Sequence, residues 1–105
     1  MSKLKQPYSD FVRHCLQGYV ETMEIGTQPR FRHQIEKANW LCCHEAMNDL
    51  DPEDRELALE LYARGDTIPD KIYQISMQKR MPQRRLWRLV EELEQDIARR
   101  RGMIW

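Results

Sequence analysis

Apolar residues recur along this chain at the three- and four-residue spacing of a helix face, in stretches separated by turn and capping residues. Phe11, Val12, Cys15, Leu16, Tyr19, Val20 and Met23 form the first stripe, with Ser9 as the expected N-cap, Asp10 favourable at the positive end of the dipole, and Gly26 as the stop. Gly26–Arg30 is turn chemistry. A second helix is expected from Arg32 to Asp49, its stripe marked by Phe31, Ile35, Ala38, Cys42 and Ala46 and widened by Trp40, Leu41 and Met47. Asp51-Pro52-Glu53-Asp54 is a strong helix start, with Asp51 as cap and Pro52 in the first turn. Leu57, Ala58, Leu61 and Tyr62 then face inward until Gly65.

Thr67 is the expected cap of a short fourth helix that carries Ile72 and Ile75 inward and breaks at Arg80-Met81-Pro82. The fifth helix is expected from Pro82 to Arg101, with Leu86, Leu89, Val90, Leu93 and Ile97 along one side and Arg99-Arg100-Arg101 at its negative end. No stretch alternates like a strand. The expectation is an all-α chain, five helices in one bundle. It is one domain over 1–105, made of an N-terminal helical pair (9–50) and a C-terminal portion (51–102) shaped as a helix-turn-helix.

Composition sharpens this picture. Hydrophobic residues make up 41% and charged residues 32%, a balance that suits a compact helical protein and argues against disorder. No apolar run approaches the ~20 residues of a membrane span, and the N-terminus has no secretory pattern, so no membrane role is expected. Three cysteines, two of them adjacent, provide no disulfide framework and point to a reducing cytoplasm.

The formal net charge of zero hides a polarity that does bear on function. Residues 1–70 hold eight Lys/Arg against thirteen Asp/Glu, whereas residues 71–105 hold nine against four. An acidic body with a basic end suggests a polyanionic or acidic partner for that end.

Residues 57–101 give a medium helix, a short helix, a tight break and a long basic helix, the order that a helix-turn-helix needs to lay its last helix in a major groove. The first exposed positions of that helix are Gln83, Arg84, Arg85 and Arg88; Gln can pair with adenine and Arg with guanine. Lys71, Lys79 and Arg80 lie just upstream, placed to grip phosphates. Glu91, Glu92, Glu94 and Asp96 come only beyond the groove-entering part.

The run from Ile75 to Leu89 resembles the helix-turn-helix in the fourth region of bacterial sigma factors and of related small phage transcriptional regulators. Ile75 and Ser76 match its apolar-then-small pair, Met81 its apolar turn residue, and Leu86 and Leu89 its inward positions. The chain departs from that pattern at Lys79, where an apolar residue is usual, at Arg80, where glycine is usual, and at Pro82, where Ser or Thr caps. The whole chain is similar to small proteins of Firmicutes phages and mobile elements. The resemblance implies a transcriptional regulator that binds double-stranded DNA through Gln83, Arg84, Arg85 and Arg88. RNA polymerase or a host protein, and a second copy of the chain, are further partners it leaves open.

Other chemistry has little support. His14-Cys15, His33 and Cys42-Cys43-His44 lack the paired spacing of zinc sites, so no metal or other cofactor is expected. No glycine-rich phosphate loop and no nucleophile signature is present, which argues against an enzyme. The alternative class is a phage-encoded, protein-binding inhibitor, such as an anti-CRISPR or other anti-host factor. Trp87 flanks the apolar stripe and is expected to be core.

Overall fold

Leu86, Leu89, Val90, Leu93 and Ile97 are all buried in the computed structural model, which describes residues 7–26 and 31–104. They lie on α5 (Gln83–Arg100), the longest helix. Against it pack α1 (Ser9–Ile25), α2 (Gln34–Asn48) and α4 (Ile68–Lys79), with α3 (Pro52–Leu61) bridging α2, α4 and α5. Buried residues from all five helices form one contiguous cluster, among them Val12, Leu16, Met47, Leu61, Tyr62 and Ile72. The chain is all-α, with no strand among the described residues. The turn expected over Gly26–Arg30 and the arm over residues 1–8 lie largely outside them, at 27–30 and 1–6.

Several local expectations are corrected. Ser9 is the first residue of α1 rather than its cap, and it is buried; Tyr8 holds the cap position without a side-chain bond. Phe11 and Met23 are exposed, because α1 buries only the narrower stripe Val12, Leu16, Tyr19 and Val20. On α2 the buried side is turned by one residue: Cys43, Ala46 and Met47 are inside, Cys42 is half-buried, and Ile35 and Leu41 are exposed. Neighbouring residues on a helix lie about 100° apart, so a stripe read one position off exchanges core for surface.

Helix ends show a recurring device. Neither α2 nor α3 has a basic residue in its last turn, and each receives a cation from a later helix instead. Arg55 donates to the carbonyls of Met47 (3.1 Å), Asn48 (3.1 Å) and Leu50 (3.4 Å). The Lys71 ammonium donates to the carbonyls of Glu60, Ala63 and Arg64. With that cap, α3 gives way at Tyr62, before Gly65. Asp51 sits at the start of α3 but makes no side-chain cap bond, whereas the Thr67 hydroxyl accepts from the Asp70 N–H at 3.4 Å, as expected.

A buried polar contact ties three helices together. Glu94, only 3% exposed, accepts from Arg13 Nε at 2.8 Å and from the Tyr62 hydroxyl at 2.7 Å. Between α1 and α2, the Tyr19 hydroxyl meets His44 Nδ1 at 2.9 Å, and Trp40 stacks on the His44 ring at 4.7 Å.

Burial raises the pKa of several acids that are neutral at pH 7. The thiol of Cys43 is pushed far up by loss of water, and those of Cys15 and Cys42 are also raised, despite Arg101 beside them. The phenols of Tyr19 and Tyr62 rise for the same reason, Tyr62 further because it faces Glu94. The folded chain therefore keeps protons that the unfolded chain releases above about pH 8.5 for thiols and about pH 10 for phenols. Their contribution is complete below those values and is lost as pH climbs past them. Denaturant midpoints are expected to hold steady from neutrality to about pH 8 and then to decline steadily toward pH 11. A midpoint that rises over that range would contradict the burial of these groups.

Candidate nucleic-acid interface

The connection between α4 and α5 is short and tightly bonded. Arg80 takes the left-handed conformation (φ 52°, ψ 48°), the one non-glycine residue with positive φ among the described residues. That conformation is costly for a residue with a Cβ and is held here by hydrogen bonds. The Ser76 carbonyl accepts from the N–H of Arg80 and from that of Met81 at 3.0 Å, and the Ser76 hydroxyl donates to the Met81 carbonyl at 2.5 Å. Met81 is half-buried against the core, and Pro82 precedes the first turn of α5.

Around this turn the seven candidate residues fall into three groups. Arg80, Gln83, Arg84 and Arg88 are exposed, and the three arginines show no ion pair among the described residues. Arg84 and Arg88 are one turn apart on the same face of α5, about 6 Å along the axis. Glu91 and Glu92 follow only in the next turn.

Lys79 and Arg85 are open but paired to α3. Lys79 Nζ lies 3.7 Å from Glu60. Arg85 reaches Glu53 at 3.3 Å and Asp54 at 3.2 Å. Lys71 forms the third group: it is 8% exposed and its ammonium is spent on the end of α3. Placing it upstream as a phosphate grip is therefore corrected. The signal was present in the sequence, since Ile68, Lys71, Ile72 and Ile75 share one helix face, so the inward stripe passes through the lysine.

Of the C-terminal arginines, Arg100 is tied into the bundle. Arg100 is clasped by Glu45 (3.3 Å) and Asp49 of α2 and by Asp96 (3.1 Å) of its own helix. The hydrogen bond to Asp96 is the main reason its pKa is raised. This end of α5 therefore fastens the bundle. Trp87 is half-buried against the core.

Between α3 and the turn runs a groove of about 300 Å³ lined by Leu57, Leu59 and Met81, with Glu53, Glu56, Glu60 and Lys79 at its edges. Its carboxylates make it unfit for phosphate. No group of three or more His, Cys, Asp or Glu among the described residues is arranged to hold a metal ion. Among the described residues no helix is long and apolar enough to cross a membrane. No family model matches the chain, and no curated protein or solved structure matches it either.

Proposed function

We propose that the chain is a sequence-specific, double-stranded-DNA-binding regulator of transcription, of phage or mobile-element origin, and not an enzyme. In this reading α4, the turn and α5 act as a helix-turn-helix, with the first turns of α5 in the major groove. One observation carries it. At the α4–α5 turn, Arg80, Gln83, Arg84 and Arg88 stand open to solvent, ahead of the first acids of α5. Arg84 and Gln83 are of the types that read guanine and adenine edges, and Arg80 and Arg88 suit phosphates. The protein works in the cytoplasm, where its three free thiols stay reduced. Lys71 is left out of the interface, and Lys79 and Arg85 contribute little while α3 neutralises them.

Selection from a random pool of short duplexes tests this reading. Repeated capture on the immobilised protein is expected to enrich one motif, bound with an affinity that falls steeply with salt as counterions are released. A pool that stays random through the selection rejects sequence-specific binding.

The ion pairs yield a further expectation within this reading. Changing Glu53→Gln together with Asp54→Asn frees Arg85 and removes negative charge beside the groove-facing helix. Affinity for unrelated duplexes is expected to rise by about tenfold at low salt, with a steeper salt slope, because one more cation neutralises phosphate. An unchanged affinity would show that α3 does not border the bound duplex.

A protein-binding inhibitor is the second reading, and the acidic-rimmed groove at Leu57, Leu59 and Met81 favours it, since it suits a cationic side chain from a protein. In that case the chain ignores duplex and co-purifies with a protein partner.

A further inference from the structure

The outer face of α4 carries two large apolar side chains that stand mostly open to solvent. Tyr73 is 58% exposed and Met77 is 63% exposed, one turn apart, while Ile68, Lys71, Ile72 and Ile75 point to the core. Most exposed apolar residues elsewhere stand singly on their helices, which is ordinary for a surface. This pair is different because of its flanks. Asp70 lies one turn before Tyr73 and Arg80 follows Met77, both exposed. The face thus reads acid, aromatic, thioether, cation, in that order along the helix.

Such an order is complementary to itself when reversed. Place two copies of α4 antiparallel, related by a two-fold axis at the level of Ile75. Tyr73 of each copy then meets Met77 of the other, and Asp70 of each meets Arg80 of the other. We infer that this face of α4 is a homodimer contact, closed by two symmetry-related Tyr73–Met77 pairs and two Asp70–Arg80 ion pairs. A two-fold contact requires one patch to match itself, and the opposite charges at the two ends fix the antiparallel register. Aromatic–thioether packing adds to the buried area. One twelve-residue helix is small against the ~800 Å² per partner of standard interfaces, so association is weak and develops in the micromolar range. The contact does not rest on DNA binding. Arg80 borders both surfaces, but Gln83, Arg84 and Arg88 lie outside this one.

Sedimentation equilibrium of the full chain, without DNA and with reductant to prevent cysteine cross-links, tests the inference. The average mass is expected to climb from 12.8 kDa toward twice that value as concentration rises through the micromolar range. Asp70→Arg alone or Arg80→Asp alone places like charges opposite each other, and each is expected to weaken self-association at least tenfold while circular dichroism stays helical. Aspartate tolerates the left-handed position that Arg80 holds. Mixing the two variants in equal amounts restores both ion pairs across a heterodimer, and the mass should recover. A wild-type chain that remains monomeric at several hundred micromolar, single swaps that leave association unchanged, or a mixture that fails to recover would each overturn the inference.

Discussion

Replacing Arg84 and Arg88 together with alanine is expected to lower affinity for the selected duplex by about a hundredfold or more. Each arginine is worth ~1–3 kcal/mol at a base edge, and less at a phosphate. Fold and stability should not change, because both side chains are exposed and make no ion pair among the described residues. Fluorescence anisotropy with the labelled duplex measures the loss, and thermal melting checks the fold. Two controls separate reading from bulk charge. Arg85→Ala removes one positive charge from the same stretch of α5, half that of the double variant, and its guanidinium is bound to Glu53 and Asp54, so affinity should fall several-fold at most. Arg100→Ala breaks contacts to Glu45, Asp49 and Asp96 and should touch stability rather than duplex binding. If all three changes weaken binding alike, the end of the chain is a polycation without a reading face.

The largest stability effect is expected at Glu94. Glu94→Ala leaves the Tyr62 hydroxyl, fully buried, and the Arg13 guanidinium, largely buried, without their shared acceptor. Removing one member of a buried charged pair costs about 3–5 kcal/mol. The lower end applies here, since Arg13 keeps some access to water. That is a large part of the ~5–15 kcal/mol by which folded domains are stable. Glu94→Gln keeps an acceptor oxygen and should cost less, and Tyr62→Phe gives up one hydrogen bond at about 1–2 kcal/mol. Urea denaturation midpoints give the ranking. A Glu94→Ala midpoint close to wild type would show that this contact contributes nothing to holding α1 and α5 together.

These two sites differ in how far the sequence reveals them. The stripe of α5 is legible because five strongly apolar residues recur at helical spacing, and all five are buried. The stripe of α2 is harder to read, since half-buried polar residues such as Glu36 and Asn39 interrupt it and shift its apparent centre by one position. Thr67 and Asp51 carry similar capping signals, but only Thr67 makes the bond; at α3 the favourable dipole charge comes from Glu53 and Asp54. Arg80, Gln83, Arg84 and Arg88 are legible as an exposed run. What local patterns do not contain is the pairing of Arg85 with residues more than thirty positions earlier, or of Lys79 with Glu60. Those pairs depend on how α3 crosses α4 and α5, and they divide a uniform basic run into cations that are free and cations that are held. Glu94 could have been noticed, because it falls on the line of Val90 and Ala98, inside the apolar face.

In the proposed binding mode the open side chains at the start of α5 meet the duplex. Backbone amide shifts of the ¹⁵N-labelled chain, followed by NMR as the selected duplex is added, report this residue by residue. The largest changes are expected at Arg80, Gln83, Arg84 and Arg88, with α1, α2 and the end of α5 near Arg100 little affected. No shifts at equimolar duplex, or shifts centred on α1 and α2, would contradict it.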